Sequence, residues 1–201
     1  MTRPLCLAAW HGLHRLAGDV FISYFEQAIT VQELTDQQLF KALHFAKSQD
    51  EQAGRAILER FQASQPAFAQ TIFSVFPSSM IDLDQSMAHL FMDLCFDVIA
   101  VYEHAFGKVP DQRIVGNAWF EEKARQYDPE RKGQAKAKAS ADDIEPEHQQ
   151  GLVNFLYAAI DQQACDSVAA VRLAKTMIFT TVQLFDALYD ASLDSQNQSI
   201  H

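Results

Sequence analysis

Acidic and imidazole side chains stand directly ahead of one apolar helical repeat, where the chain reads Glu145, Pro146, Glu147 and His148. Proline suits the first turn of a helix, where its missing N–H leaves no bond unmade, and carboxylates there are stabilised by the helix dipole. His148 stands four residues before Leu152, so its imidazole begins the core-facing side of the helix. These residue types can bind a cationic group at the edge of an apolar surface, and they also suit an ordinary helix start.

The segment PEHQQGLVNFL resembles the motif of the TorD/NarJ-type cytoplasmic chaperones, which mature molybdenum oxidoreductases. Four of its residues match that motif, whereas Glu147 stands where the family has aspartate. The resemblance implies an all-helical, non-enzymatic protein that binds a basic leader peptide or an unfinished apoenzyme. An apolar groove would accept the apolar part of that partner, and carboxylates would meet its arginines. The partner-binding residues expected on this basis are Glu145, Pro146, Glu147, His148, Phe155 and Leu156.

A second set of polar side chains follows one side of an apolar segment, where His89, Asp93, Asp97 and His104 recur at helical spacing. Histidine and aspartate four residues apart can share a metal ion. The same stripe is typical of side chains that face solvent or pair with lysine or arginine. The sequence therefore leaves a metal-dependent helical enzyme as an alternative, whereas the leading hypothesis calls for no cofactor.

Near the end of the chain, Asp186, Asp190 and Asp194 recur every four residues, which predicts one acidic side of a helix. We expect that side to face solvent, with a docking strip for a cationic partner as the alternative. A di-iron bundle needs two Glu-x-x-His pairs, and the sequence contains one, Glu145 with His148.

Helical periodicity dominates the sequence and strand alternation is absent, so the predicted fold is an all-α bundle of seven or eight helices. One domain is expected over residues 1–201. Residues 128–143 lack apolar anchors and predict an exposed loop or hinge, and residues 194–201 predict a frayed tail. Whether the last two helices are separate or continuous is left open, because no glycine or proline divides them.

Several boundaries within the bundle are marked by local signals. Thr35 and Ser48 each precede a glutamine or glutamate by three residues, which predicts a capping box at two helix starts. Pro66 and Pro77 are expected to bracket a short helix. A long helix is expected over residues 84–106, with Gly107 closing it.

Composition narrows the function classes. The 201 residues include 16 basic and 26 acidic side chains, a formal net charge of -10, which argues against a nucleic-acid binder and favours a cationic partner. Cys6, Cys95 and Cys165 form no Cys-x-x-Cys pair, so we expect reduced thiols and a cytoplasmic location. Asp93 and Asp97 interrupt the most apolar segment, so no membrane insertion is expected.

The leading hypothesis is a non-enzymatic, chaperone-type protein that binds a peptide or protein partner through an apolar groove with an acidic rim. One alternative is the metal-dependent enzyme centred on His89, Asp93, Asp97 and His104. The other is a structural or regulatory protein that self-associates as a homo-oligomer.

Overall fold

The computed structural model describes residues 31–126 and 149–198, and every regular element in them is a helix, so the predicted all-α class is confirmed. Eight helices in this part of the chain form one bundle. They are α1 Asp36–Lys47, α2 Glu51–Ser64, α3 (Pro66–Gln70, a π-helical turn Thr71–Val75 and Phe76–Ile81, without a break), α4 Gln85–Phe106, α5 Gln112–Val115, α6 Asn117–Gln126, α7 Gln150–Gln162 and α8 Val168–Gln198.

The first two helices show how side chains set helix starts. Thr35 caps α1 and Gln38 bonds back to the Thr35 backbone N–H at 3.0 Å, which confirms the predicted capping box. The second predicted box is wrong. Asp50, not Ser48, caps α2 by accepting a hydrogen bond from the Ala53 N–H at 2.8 Å. Ser48 instead ends α1, because its hydroxyl donates to a carbonyl of that helix.

Helix α3 continues through a proline that was expected to end it. Pro66 lies in the first turn as predicted, but Pro77 lies inside the helical run. A proline ring normally clashes with the carbonyl four residues earlier. The turn directly ahead of Pro77 is π-helical, with the Phe76 N–H bonded to the Thr71 carbonyl, and this wider turn accommodates the ring.

Helices α4 and α8 pack against each other at the centre of the bundle. Asp84 caps α4, and Gly107 ends it at a φ of 88°, which glycine adopts without steric penalty. Helix α8 also packs against α3, α5, α6 and α7. All side chains from residue 180 to residue 186 are buried, so this part of α8 is enclosed on every side.

An aromatic cluster joins α8 to four other helices. The Phe185 ring lies 4.8 Å from Tyr102 of α4, 4.9 Å from Phe68 of α3 and 5.7 Å from Phe61 of α2, measured between ring centroids. Phe120 of α6 contacts Phe68 at 5.1 Å. Large aromatic rings bury 150–250 Å² each in typical cores, so this cluster is a major source of bundle stability.

The last two helices are separate. Helix α7 ends at Gln162, and the intervening turn is attached to the start of α4 by the Cys165 thiol, whose Sγ lies 3.2 Å from the Asp84 carboxylate. Helix α8 continues to Gln198, so the first part of the predicted tail is helical.

Candidate functional site

The chaperone-like motif falls only partly within the described residues. Glu145, Pro146, Glu147 and His148 lie outside them. The two apolar residues of the motif differ sharply: the Phe155 side chain is 37 % exposed, whereas Leu156 is 0 % exposed. Leu156 therefore belongs to the core and cannot touch a partner in this conformation, which corrects its predicted role.

Gln149, the next residue along the chain, has a structural role that the sequence does not reveal. It is buried and adopts a left-handed backbone conformation with a φ of 55°. Its side chain accepts a hydrogen bond from the Leu34 N–H at 3.1 Å and donates one to the Gln32 carbonyl at 2.8 Å. Gln149 thus fixes the extended segment ahead of α1 to the start of α7. Its two hydrogen bonds offset the strain of its own backbone conformation.

The polar stripe of α4 divides into one buried residue and three exposed ones. Asp97 is 2 % exposed and bonds to the Lys47 ammonium of α1. Burial raises the pKa of Asp97, and the hydrogen bond and charge of Lys47 act in the opposite direction. His89, Asp93 and His104 are exposed, and the His104 ring stacks on Phe45 with centroids 4.5 Å apart.

This geometry gives no support to the metal hypothesis. In residues 31–126 and 149–198, no three histidine, cysteine, aspartate or glutamate side chains come together as metal ligands. The one buried carboxylate of the stripe, Asp97, is held by a lysine. The stripe pairs with a neighbouring helix and faces solvent, which is the other interpretation that the sequence allowed.

The acidic side of α8 does not face solvent throughout, contrary to expectation. Asp186 is 3 % exposed and accepts a hydrogen bond from the Tyr102 hydroxyl at 2.6 Å. Its second oxygen, Oδ2, makes no hydrogen bond within the described chain. Asp190 is half-buried and accepts a hydrogen bond from the Val31 N–H, whereas Asp194 is exposed.

The surroundings of Asp186 change its protonation. Its pKa is raised from 3.8 to about 7, mainly because burial disfavours the charged form; the Tyr102 hydrogen bond acts in the opposite direction, and the charge of Asp190 contributes to the rise. Burial also raises the pKa of Tyr102, and Asp186 adds to this effect. The carboxyl group is therefore largely neutral below neutral pH, although it lies in the core and does not line a cavity.

A cleft of about 340 Å³ opens beside this buried pair, between the end of α4 and the last third of α8. We call it the α4–α8 cleft. Most of its wall is apolar and two of its residues are aromatic. It is lined by Val31, Gln32, Phe106, Lys108, Pro110, Tyr189, Ser192 and Leu193. The volume lies within the range of natural ligand pockets.

The turn that forms one wall of the cleft is fixed at both ends. The Tyr189 hydroxyl donates to the Gly107 carbonyl at 2.7 Å, and the Gln65 amide donates to the Pro110 carbonyl at 2.6 Å. Lys108 lies between these two anchors. The backbone that carries it is therefore held in place before any ligand arrives.

The opposite wall is fixed in the same way. Asp190 holds Val31 by its backbone N–H, and Gln149 holds both Gln32 and Leu34. Side chains of α8 and of the residues directly ahead of α3 and α7 thus hold two non-helical segments around one opening. No protein-family model, no curated protein and no solved structure matches this chain. The α4–α8 cleft is accordingly assigned from its own geometry.

One helix in the described residues, α8 over residues 168–195, is long and apolar enough to cross a membrane. Half of its apolar stretch is buried in the bundle, and core helices of soluble proteins meet the same criteria of length and composition. The apolar segment of α4, which Asp93 and Asp97 interrupt, does not meet these criteria.

Proposed function

We propose that this chain is a non-enzymatic binding protein of chaperone type, which takes an apolar segment of a polypeptide partner into the α4–α8 cleft. The observation that carries the proposal is the cleft itself, 340 Å³ in volume and walled by Phe106, Tyr189 and Leu193. Apolar side chains of a peptide gain affinity by leaving water for such a groove.

The protein's charge and its cysteines support the same class of function. A net charge of -10 attracts cationic chains over long range, so the partner is proposed to carry basic residues around its apolar segment. Cys95 and Cys165 are both free thiols, as suits the proposed location in the reducing cytoplasm. The resemblance of Pro146, His148 and Phe155 to the chaperone motif supports the same proposal.

Catalysis has weaker support. The most perturbed carboxyl group of the described chain, Asp186, is bonded to Tyr102 in the core and does not line the cleft. The described residues that line the cleft supply one lysine, one serine, one glutamine and one tyrosine as polar groups. These are groups for orienting a ligand, and no histidine or carboxylate is among the described lining residues to act as a general base.

Binding of a labelled peptide tests the proposal. The probe is a peptide of about ten residues with two arginines ahead of a Leu-Phe end, labelled with fluorescein at its amino terminus, and anisotropy reports its dissociation constant. Leu193→Glu places a charge in the cleft wall and is expected to weaken binding by at least about tenfold. Leu83→Glu is the matched control at an exposed leucine outside the cleft, and it is expected to change binding less than twofold.

His148→Ala completes the experiment, because it separates the motif from the cleft. Weaker binding in this variant would extend the site to the start of α7. If the unaltered protein does not bind the peptide, or if Leu193→Glu and Leu83→Glu bind it equally, the proposal is wrong. Circular dichroism before each titration establishes that the variant is folded.

A further inference from the structure

Two polar side chains of the α4–α8 cleft, Lys108 and Ser192, are not engaged by other residues that the structure describes, whereas the Tyr189 hydroxyl binds the Gly107 carbonyl. Ser192 is 9 % exposed, yet its hydroxyl has no hydrogen-bond partner within the described chain. Other hydroxyl groups of the same helix behave differently. Thr180, Thr181 and Ser195 each donate to the carbonyl four residues earlier, at 2.8–3.0 Å. Ser192 is thus a nearly buried donor that lines an open cleft and has no partner among residues 31–126 and 149–198.

Lys108 adds a positive charge to the same cleft. Its ammonium group makes no direct ion pair with any residue that the structure describes, although its charge contributes to the lowered pKa of nearby Asp111. Asp111 is occupied by Arg113, which binds its two oxygens at 2.9 and 2.8 Å. Asp190, the carboxylate behind the cleft wall, already accepts the Val31 N–H.

We propose that the cleft recognises the free carboxyl terminus of a polypeptide partner. The terminal carboxylate accepts hydrogen bonds from the Lys108 ammonium and the Ser192 hydroxyl, and the last apolar side chain packs against Phe106 and Tyr189. This inference rests on the proposed function and specifies which part of the partner enters the cleft.

Charge complementarity selects a carboxylate over other polar ends. The described lining residues include a cation and no carboxylate, so an ammonium or guanidinium group in the cleft would meet Lys108 with like charge. A carboxylate has only acceptor atoms, and Lys108 and Ser192 both offer donors. Basic residues further along the same partner remain favoured by the overall charge of -10.

The cleft is also suited to a chain end by its size. At about 340 Å³ it lies at the lower limit of ligand pockets, so it accommodates one or two side chains and not a long folded segment. The walls are held by Gln65, Gln149 and Tyr189, so little ordering of the protein opposes binding.

Two forms of one peptide test the inference. The probe described above is prepared with a free carboxyl terminus and with a carboxamide terminus, which differ by one charge. We expect the free acid to bind about tenfold more tightly than the amide, because a charge-assisted hydrogen bond between its carboxylate and Lys108 contributes about that much affinity. Lys108→Gln is expected to remove most of this preference, and Lys108→Glu to reverse it. Lys41→Gln is the matched control at an exposed lysine of α1, and it is expected to retain the preference.

The outcomes separate this inference from the proposed function. Equal affinity for acid and amide would overturn the carboxyl-terminus assignment and leave peptide binding intact. If neither form binds, both proposals are wrong. Decanoate serves as a competitor without a peptide backbone, and displacement of the free-acid peptide by equal or lower concentrations of decanoate would overturn assignment to a polypeptide end. A tenfold preference that disappears in Lys108→Gln and persists in Lys41→Gln supports the inference.

Discussion

Replacing Asp186 by asparagine tests the buried pair that joins α4 to α8. Asparagine keeps an oxygen that can accept the Tyr102 hydrogen bond, now 2.6 Å long, but it cannot ionise. The carboxyl group of Asp186 is neutral in the folded protein over a pH range in which it is charged in the unfolded chain, because burial raises its pKa from 3.8 to about 7. The substitution therefore removes one specific source of pH dependence.

The size of the effect follows from the two pKa values. Between them the folded state binds more protons than the unfolded state, so stability falls as the pH rises. The contribution of the neutral carboxyl to the free energy of unfolding is fully present below pH 3.8 and is lost as the pH rises through about 7. Each pKa unit corresponds to about 1.4 kcal/mol, so wild type loses roughly 3 kcal/mol relative to Asp186→Asn between about pH 5 and about pH 8.

Urea unfolding at a series of pH values measures this difference. We expect the free energy of unfolding of wild type to fall relative to Asp186→Asn across that range. Asp194→Asn, at an exposed position of the same helix, is the control and is expected to give a curve parallel to wild type. Parallel curves for wild type and Asp186→Asn would show that Asp186 is not a buried neutral acid, and the reasoning would be wrong.

Three further substitutions test other parts of the structure by thermal or urea unfolding. Lys47→Ala leaves the buried Asp97 carboxylate without its partner and is expected to destabilise the protein by about 2 kcal/mol. This loss is smaller than for a fully buried ion pair, because the lysine is partly exposed to solvent. Adding Asp97→Asn should restore part of the lost stability. Gln149→Ala removes two hydrogen bonds to the segment ahead of α1 and is expected to lower the free energy of unfolding by about 2 kcal/mol, with faster amide exchange at residues 31–34. Leu156→Ala should destabilise by about 2–5 kcal/mol and Phe155→Ala by less than about 1.5 kcal/mol, since one is in the core and the other is more than a third exposed; equal effects would contradict the assigned burial.

The helical class and most boundaries were predictable because they depend on local signals. The Thr35 capping box and the glycine that ends α4 act within a few residues of sequence. The errors arose where two local signals compete or where tertiary packing decides. Asp50 stands two residues after Ser48 and is the better placed cap, and a π-helical turn allows α3 to continue through Pro77.

The cleft was not predictable from spacing, since its walls come from three distant parts of the chain. Val31, Phe106 and Leu193 share no motif, and the bundle alone brings them together. The four-residue repeat from Asp186 to Asp194 did place these residues on one side of a helix. The repeat could not show that this side of α8 is buried at Asp186 and exposed at Asp194, because a helix enclosed by its neighbours has no single exposed face.

Methyl NMR of the full chain with the free-acid peptide tests the central claim most directly, namely that the α4–α8 cleft is the binding site. Titration is expected to shift the methyl signals of Leu193 and Val31, which line the cleft, and to leave those of Leu83 and Val168 unchanged. Shifts confined to Leu83 and Val168, or no shifts at saturating peptide, would contradict the assignment of the cleft.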